Sequence, residues 1–282
     1  MLKEAYNSSE EFAKSHYENF PVLSLTLPRE VKKHIAVVYQ FARQADDLAD
    51  EGEINPEKRI QNLELYEKRF NDCLRGQFIT DFWMALKNTI NEGNLTPKYF
   101  YDLLSAFKQD VYTKRYQNYN QLLDYCSRSA NPVGRIVLEI CGVRNEEAFR
   151  HSDYICTALQ LTNFYQDVSV DWLKGRVYLP QDEMEKFGVT ENLFDEKQNN
   201  ANFKSLLKFQ VGRTRKLFVD GRSLLPFLPS SLLRQIKITI LGGEKILDKI
   251  EVIDYCVIEQ RPKLSRVDYL KIFAKGLLTN AR

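Results

Sequence analysis

Two aspartate clusters about 120 residues apart both carry the spacing of a helix. The first reads Arg43-Gln44-Ala45-Asp46-Asp47-Leu48-Ala49-Asp50, and the second runs from Gln160 through Asn163 and Asp167 to Asp171. Residues four apart project from one helix face. Tyr39, Arg43, Asp46 and Asp50 therefore share one stripe, and Gln160, Asn163, Asp167 and Asp171 share another. Like charges at this spacing cost a bare helix ~0.3 kcal/mol, and Asp is a weak interior helix former. A chain that accepts this cost twice has a counter-charge to place there. Mg²⁺ is the natural one, a hard cation held by one or two carboxylates and the phosphate oxygens of a substrate. The competing reading of the first cluster is a solvated charged face. Its flanks Tyr39, Phe41, Ala42 and Ala45 argue against that, as does the lack of any Lys or Arg between Gln160 and Asp171.

The rest of the chain reads as helix after helix. Ser8-x-x-Glu11 has the form of a capping box. Pro28 opens a segment that Gly52 closes, Asn55-Pro56 and Thr96-Pro97 start two more, and Asn131-Pro132 precedes Val133–Cys141. One helix is expected from Glu146 to Asp171, then a loop over Lys174–Pro180 and a polar, Asn-rich connection over 188–202. Helical stretches follow near 203–225, 229–260 and 266–281, the last capped by Ser265-x-x-Asp268. Alternating apolar runs and repeats are absent. The expectation is an all-α fold in a single domain over residues 1–282, with helices around a central cavity.

Composition excludes several classes. A net charge of +2 is too balanced for a nucleic-acid partner. With a mean hydropathy of −0.42 and no apolar run of spanning length, no membrane-crossing helix is expected. The first residues hold no apolar signal core. Five cysteines without C-x-x-C spacing fit a reduced, cytoplasmic protein. Three scattered histidines do not make a zinc site.

After the second cluster comes Lys174-Gly-Arg176-Val-Tyr178-Leu-Pro180. A Gly lets backbone approach a ligand, and an Arg can grip phosphate with two parallel bonds. A plain surface turn competes, but this segment directly follows the carboxylate stripe, so phosphate binding is the reading taken.

With these motifs in order, the chain resembles the squalene/phytoene synthase family of trans-isoprenyl diphosphate synthases. The segments that carry the resemblance are Tyr39-Gln-Phe-Ala-Arg43-Gln-Ala-Asp46-Asp47-Leu-Ala-Asp50 and Gln160-Leu-Thr-Asn163-Phe-Tyr-Gln166-Asp167-Val-Ser-Val-Asp171, with the Gly175-Arg176-x-Tyr178-Leu-Pro tail. The resemblance implies an all-α isoprenoid (terpenoid) synthase fold, Mg²⁺, and an isoprenoid diphosphate substrate. It implies Asp46, Asp50, Asn163, Asp167 and Asp171 as metal ligands, the four aspartates being catalytic through the metal. Arg43, Lys174 and Arg176 would neutralise the diphosphate. His16, Tyr39, Asp47, Gln160, Gln166 and Tyr178, with Asn163, would complete the substrate site.

Within the family, His16-Tyr-Glu-Asn-Phe-Pro21, Ser129-Ala-Asn-Pro-Val-Gly-Arg135 and Gly242-Gly243 are most similar to the branch of hopanoid biosynthesis that forms hydroxysqualene. Three departures agree with that branch. Gln166 stands where an Arg commonly precedes the first Asp, and Ser127 and Gly243 stand where two cavity tyrosines are expected. The implied reaction is ionisation of presqualene diphosphate and capture of the cation by water, with no nicotinamide needed. Two alternatives stay open. One is a squalene or phytoene synthase that condenses two prenyl diphosphates such as farnesyl diphosphate. The other is a non-catalytic scaffold, which predicts eroded aspartate motifs, whereas these are intact. The last stretch, Leu264–Arg282, gathers Val267, Leu270, Phe273, Leu277 and Leu278 near one face. It fits peripheral membrane contact, although packing of that face on the core is the plainer expectation.

Overall fold

The computed structural model of the protein describes residues 1–16 and 27–278. Among them every regular element is helical, as the sequence predicts. In chain order these are α1 (Leu2–Ser15), α2 (Arg29–Asp50), α3 (Pro56–Leu74), α4 (Asp81–Glu92) and α5 (Pro97–Tyr112). Next come α6 (Tyr119–Ser129), α7 (Asn131–Ile140), α8 (Glu146–Gln166), α9 (Val168–Leu173), α10 (Gln181–Lys186) and α11 (Asn192–Asp195). Then follow α12 (Ala201–Gly221), a 3₁₀ turn (Arg222–Phe227), α13 (Ser230–Val252) and α14 (Arg266–Leu278).

Two compact units divide the chain. The first takes Met1–Tyr112, Pro132–Phe149 and Phe227–Gln235. The second takes Thr113–Asn131, Arg150–Pro226 and Ile236–Arg282.

In the first unit, α2 packs on α1, α3, α4 and α5. Val38, Phe41, Ala45 and Ala49 form its buried face, spaced three to four apart as a helix stripe requires. Phe41 lies 5.1–5.3 Å, centroid to centroid, from the rings of Tyr66, Phe70 and Phe100. Each such pair contributes ~1 kcal/mol beyond burial. This aromatic knot fixes the rotation of α2 and turns Tyr39, Arg43, Asp46 and Asp50 out of the core.

In the second unit, α12 and α13 meet closely. A Cβ built on Gly243 would sit 2.6 Å from Phe218 Cζ and 2.8 Å from Leu159 Cδ2. Bare backbone at 243 is what allows this approach.

Several predicted boundaries hold. Asn55 accepts from Lys58 N at 2.8 Å and caps α3. Ser265 and Asp268 cap α14 reciprocally, with Ser265 N donating to Asp268 Oδ2 at 2.7 Å and Asp268 N donating to Ser265 Oγ at 3.2 Å.

Others need correction. Ser8 and Glu11 lie inside α1, which begins at Leu2, well before the start that capping box implies. The helix expected over 229–260 ends at Val252, because Asp254 and Tyr255 adopt positive φ. The connection over 188–202 holds α11, whose Leu193 and Phe194 are buried. The helix expected from Glu146 to Asp171 breaks at Asp167, as described below.

The last helix is rotated relative to expectation. Asp268, Ile272 and Gly276 form its packed face, and a Cβ on Gly276 would meet Ile238 Cγ1 at 2.5 Å. Asp268 must stay beneath the helix to cap it and to pair with Lys249 at 2.9 Å. Val267 and Leu270 are therefore turned outward, with 56% and 71% exposure. The side chains of Leu277 and Leu278 lie outside the described residues.

Candidate active site

The first aspartate motif belongs to the first unit. Tyr39 donates its hydroxyl to the His16 carbonyl at 2.7 Å, fastening α2 to the end of α1. The His16 ring stacks on Phe12. The rest of the segment Tyr17–Pro21 lies outside the described residues. Arg43 turns its Nε to Asp47 Oδ1 at 2.8 Å and keeps Nη1 4.0 Å from Asp46. The guanidinium thus serves Asp47 first, and Asp46 is left among carboxylates.

The consequence is electrostatic. Burial, reinforced by the charges of Asp50, Asp110 and Asp47 and opposed by Arg43, pushes the Asp46 carboxyl up to about 7. Its side chain still keeps 43% of its accessible surface, so the carboxylate can be reached from solvent. Asp110, on α5, is 6% exposed. Its position was legible in principle, since an acid placed four residues after Ala106 falls on the apolar face of α5. No three Asp, Glu, His or Cys side chains converge to coordinating distance among the described residues. The donors present are nonetheless all hard oxygens, in a field that favours a positive charge. That suits Mg²⁺, which retains waters and takes one or two carboxylates beside phosphate oxygens.

The second motif belongs to the second unit. Gln160 and Asn163 are half-buried on α8. At Asp167 the backbone leaves helical values, with φ −106° and ψ 14°, and α9 restarts at Val168. The hydrogen-bond chain still spans the break, with Asp167 N donating to Asn163 O at 2.9 Å and Asp171 N to Asp167 O at 2.8 Å. The stripe is bent but not scattered.

The carboxylate at the bend is already engaged. Arg261 donates Nε to Asp167 Oδ1 at 2.5 Å and Nη2 to Oδ2 at 2.9 Å. Nothing in the motif's spacing signals this partner, which comes from 94 residues further along the chain. Gln166 is 2% exposed, and its Nε2 donates to the Pro262 carbonyl at 2.6 Å. It thus faces the packed interior rather than an open site.

The loop after α9 is held from below. Gly175, at φ +70°, ends α9 in the left-handed conformation that glycine adopts without a Cβ clash. Arg176 N then returns to the Asp171 carbonyl at 2.9 Å. Gly175 is therefore a helix terminator, and a Cβ built there would meet nothing within 4 Å. Arg115, which the sequence does not single out, bridges Glu191 at 2.5 and 2.8 Å and the Gly175 carbonyl at 2.6 Å. The Arg176 side chain is 8% exposed and lines a small nook with Asp171, Phe164 and Tyr178. Tyr178 stacks on Phe164 with ring centroids 3.8 Å apart and planes within 7°. Lys174 is exposed.

Two further expectations change. Ser127 is exposed and spends its hydroxyl on the Asp124 carbonyl of its own helix at 2.6 Å. Gly243 leaves no vacant volume, since Phe218 and Leu159 already occupy the space a side chain would enter.

The family model for squalene/phytoene synthase matches residues 13–268. Hydroxysqualene synthase from Rhodopseudomonas palustris is 34% identical, over 73% of this chain and 70% of that protein. Phytoene synthase 2 from Solanum lycopersicum is 29% identical, over 94% of this chain and 87% of that protein. The crystal structure of squalene synthase HpnC from Alicyclobacillus acidocaldarius superposes with a TM-score of 0.85 at 37% identity, covering 90% of this chain and 95% of that one.

Proposed function

The chain belongs to the squalene/phytoene synthase family, enzymes that act on isoprenoid diphosphates, and we propose that its own reaction is the conversion of presqualene diphosphate and water to hydroxysqualene and diphosphate. Asp46, Asp50, Asn163, Asp167 and Asp171 would hold Mg²⁺. When bound, Mg²⁺ supplies the positive charge that makes diphosphate a competent leaving group. Arg176, buried beside Asp171, and the exposed Lys174 would add positive charge for the same oxygens. The cation that remains after diphosphate departs is captured by water, so a proton is released and no reductant is consumed.

Gln166 is the observation that carries this reading over its alternative. The broader family commonly has an Arg there. Here the side chain is neutral, buried and committed to Pro262. This position therefore offers no charge to a second diphosphate. The alternative, a squalene or phytoene synthase condensing two prenyl diphosphates, draws support from the phytoene synthase at comparable identity. Incubation with presqualene diphosphate in H₂¹⁸O, with and without NADPH, separates the readings. An alcohol carrying ¹⁸O, unaffected by NADPH, is the expected result. Squalene formed only with NADPH, or turnover of farnesyl diphosphate alone, would overturn it.

We also propose a cytoplasmic protein that touches a lipid surface through α14. The outward Val267, Leu270 and Phe273 and the neighbouring Lys271 support this. All five cysteines are free thiols. No helix of the described residues is long and apolar enough to cross a membrane.

A further inference from the structure

The segment between α13 and α14 is tied to the end of α8 at two consecutive positions. Gln166 donates to the carbonyl of Pro262, and Arg261 takes both oxygens of Asp167. Neighbours on one segment meet neighbours on the other, so the two bonds share one geometry. The Gln166–Pro262 bond is buried, and it sets the height at which the guanidinium meets the carboxylate.

That fork competes with a metal for the same carboxylate. A bidentate guanidinium takes one in-plane lone pair of each oxygen and leaves only the outer pairs open. A divalent cation entering at ~2.1 Å meets a carboxylate whose charge is already shared, and it repels the guanidinium. We infer that Arg261 is a latch on Asp167 that opposes a divalent cation and is loosened by it, with Gln166 as the residue that positions the latch. This rests on the reading of Asp167 as a metal ligand. It assigns Gln166 a role on the metal side of the site and not in contact with substrate. It also explains a helix break at Asp167, since a carboxylate drawn toward Arg261 pulls its residue away from helical backbone values.

The test is Mn²⁺ binding to the full chain without substrate, read by the electron paramagnetic resonance signal of free Mn²⁺, with melting curves alongside. Arg261→Ala removes the competing cation and should tighten Mn²⁺ binding roughly threefold or more. Arg261→Lys keeps the charge but loses the fork and should fall between. Gln166→Met frees the segment and should shift affinity in the same direction by less. Asp167→Asn should weaken binding. If Arg261→Ala does not melt cooperatively, Arg261→Lys carries the comparison. Unchanged or weaker Mn²⁺ binding in the Arg261 variants, with Asp167→Asn still impaired, defeats the latch and leaves the metal assignment standing. Asp167→Asn binding Mn²⁺ as the parent does would defeat both. A purely structural role for Arg261 predicts loss of affinity with loss of stability, the opposite sign.

Discussion

Gly243 and Phe218 are packed so closely that the site of an absent Cβ lies only 2.6 Å from Phe218 Cζ. The absence of a tyrosine at 243 therefore does not open a cavity. It brings α13 down onto α12. Gly243→Ala should destabilise the protein by ~1–3 kcal/mol through overpacking, read as a lower urea midpoint with an unchanged slope. Gly243→Tyr should fail to fold rather than redirect the product. A stable Gly243→Tyr variant with altered product would show that α13 can move away at no great cost.

Asp46 supplies a pH dependence with a definite sign. Its folded pKa is raised from 3.8 to about 7. Between those values the folded protein holds a proton that the unfolded chain has released, so stability falls as pH rises through this window. Asp46→Asn should leave the melting temperature near that of the parent at pH 4 and raise it above the parent at pH 8. Mg²⁺ with diphosphate should reverse the order at pH 8, because only the carboxylate gains from the metal. Equal melting curves at both pH values would mean that neither burial nor the charges of Asp50 and Asp110 raise the Asp46 carboxyl.

Asp46→Ala and Asp167→Ala should each lower kcat roughly a hundredfold or more while the protein stays folded. Melting beside turnover checks this. Catalysis per folded molecule that is unchanged in both variants would remove the motifs from the chemistry.

How far the sequence reached depended on the distance over which each feature is determined. The caps at Asn55 and at Ser265–Asp268 are local hydrogen bonds, and their spacing alone places them correctly. The stripe Tyr39–Arg43–Asp46–Asp50 is equally local, a consequence of helix period and of Phe41 facing the other way. The apolar-face position of Asp110 follows from the period of α5, but its meeting with Asp46, like that of Arg261 with Asp167, is decided by tertiary packing. The same limit explains the last helix. Val267, Leu270 and Phe273 do lie together, but which side of α14 packs was decided by Asp268 reaching Lys249 and by Gly276 admitting Ile238. Ser8 and Glu11 have the residue types of a cap and none of its geometry, because α1 already runs through them.

The outward face of α14 gives the last prediction. Leu270 is 71% exposed, Val267 56% and Phe273 39%, and Lys271 and Lys275 flank them in sequence. Apolar side chains among cations bind a bilayer by burial plus attraction to anionic headgroups. Neither contribution needs the packed face formed by Asp268 and Ile272. Co-sedimentation with vesicles containing anionic lipid should therefore be lost in Leu270→Glu/Phe273→Glu, with the melting temperature unchanged. Each basic residue near the surface is worth ~1 kcal/mol, so binding should also fall when the anionic lipid is replaced by a neutral one. Retention of the double variant on anionic vesicles would place the membrane contact elsewhere. Failure of the parent protein to sediment with them would mean that this face meets something other than a lipid surface.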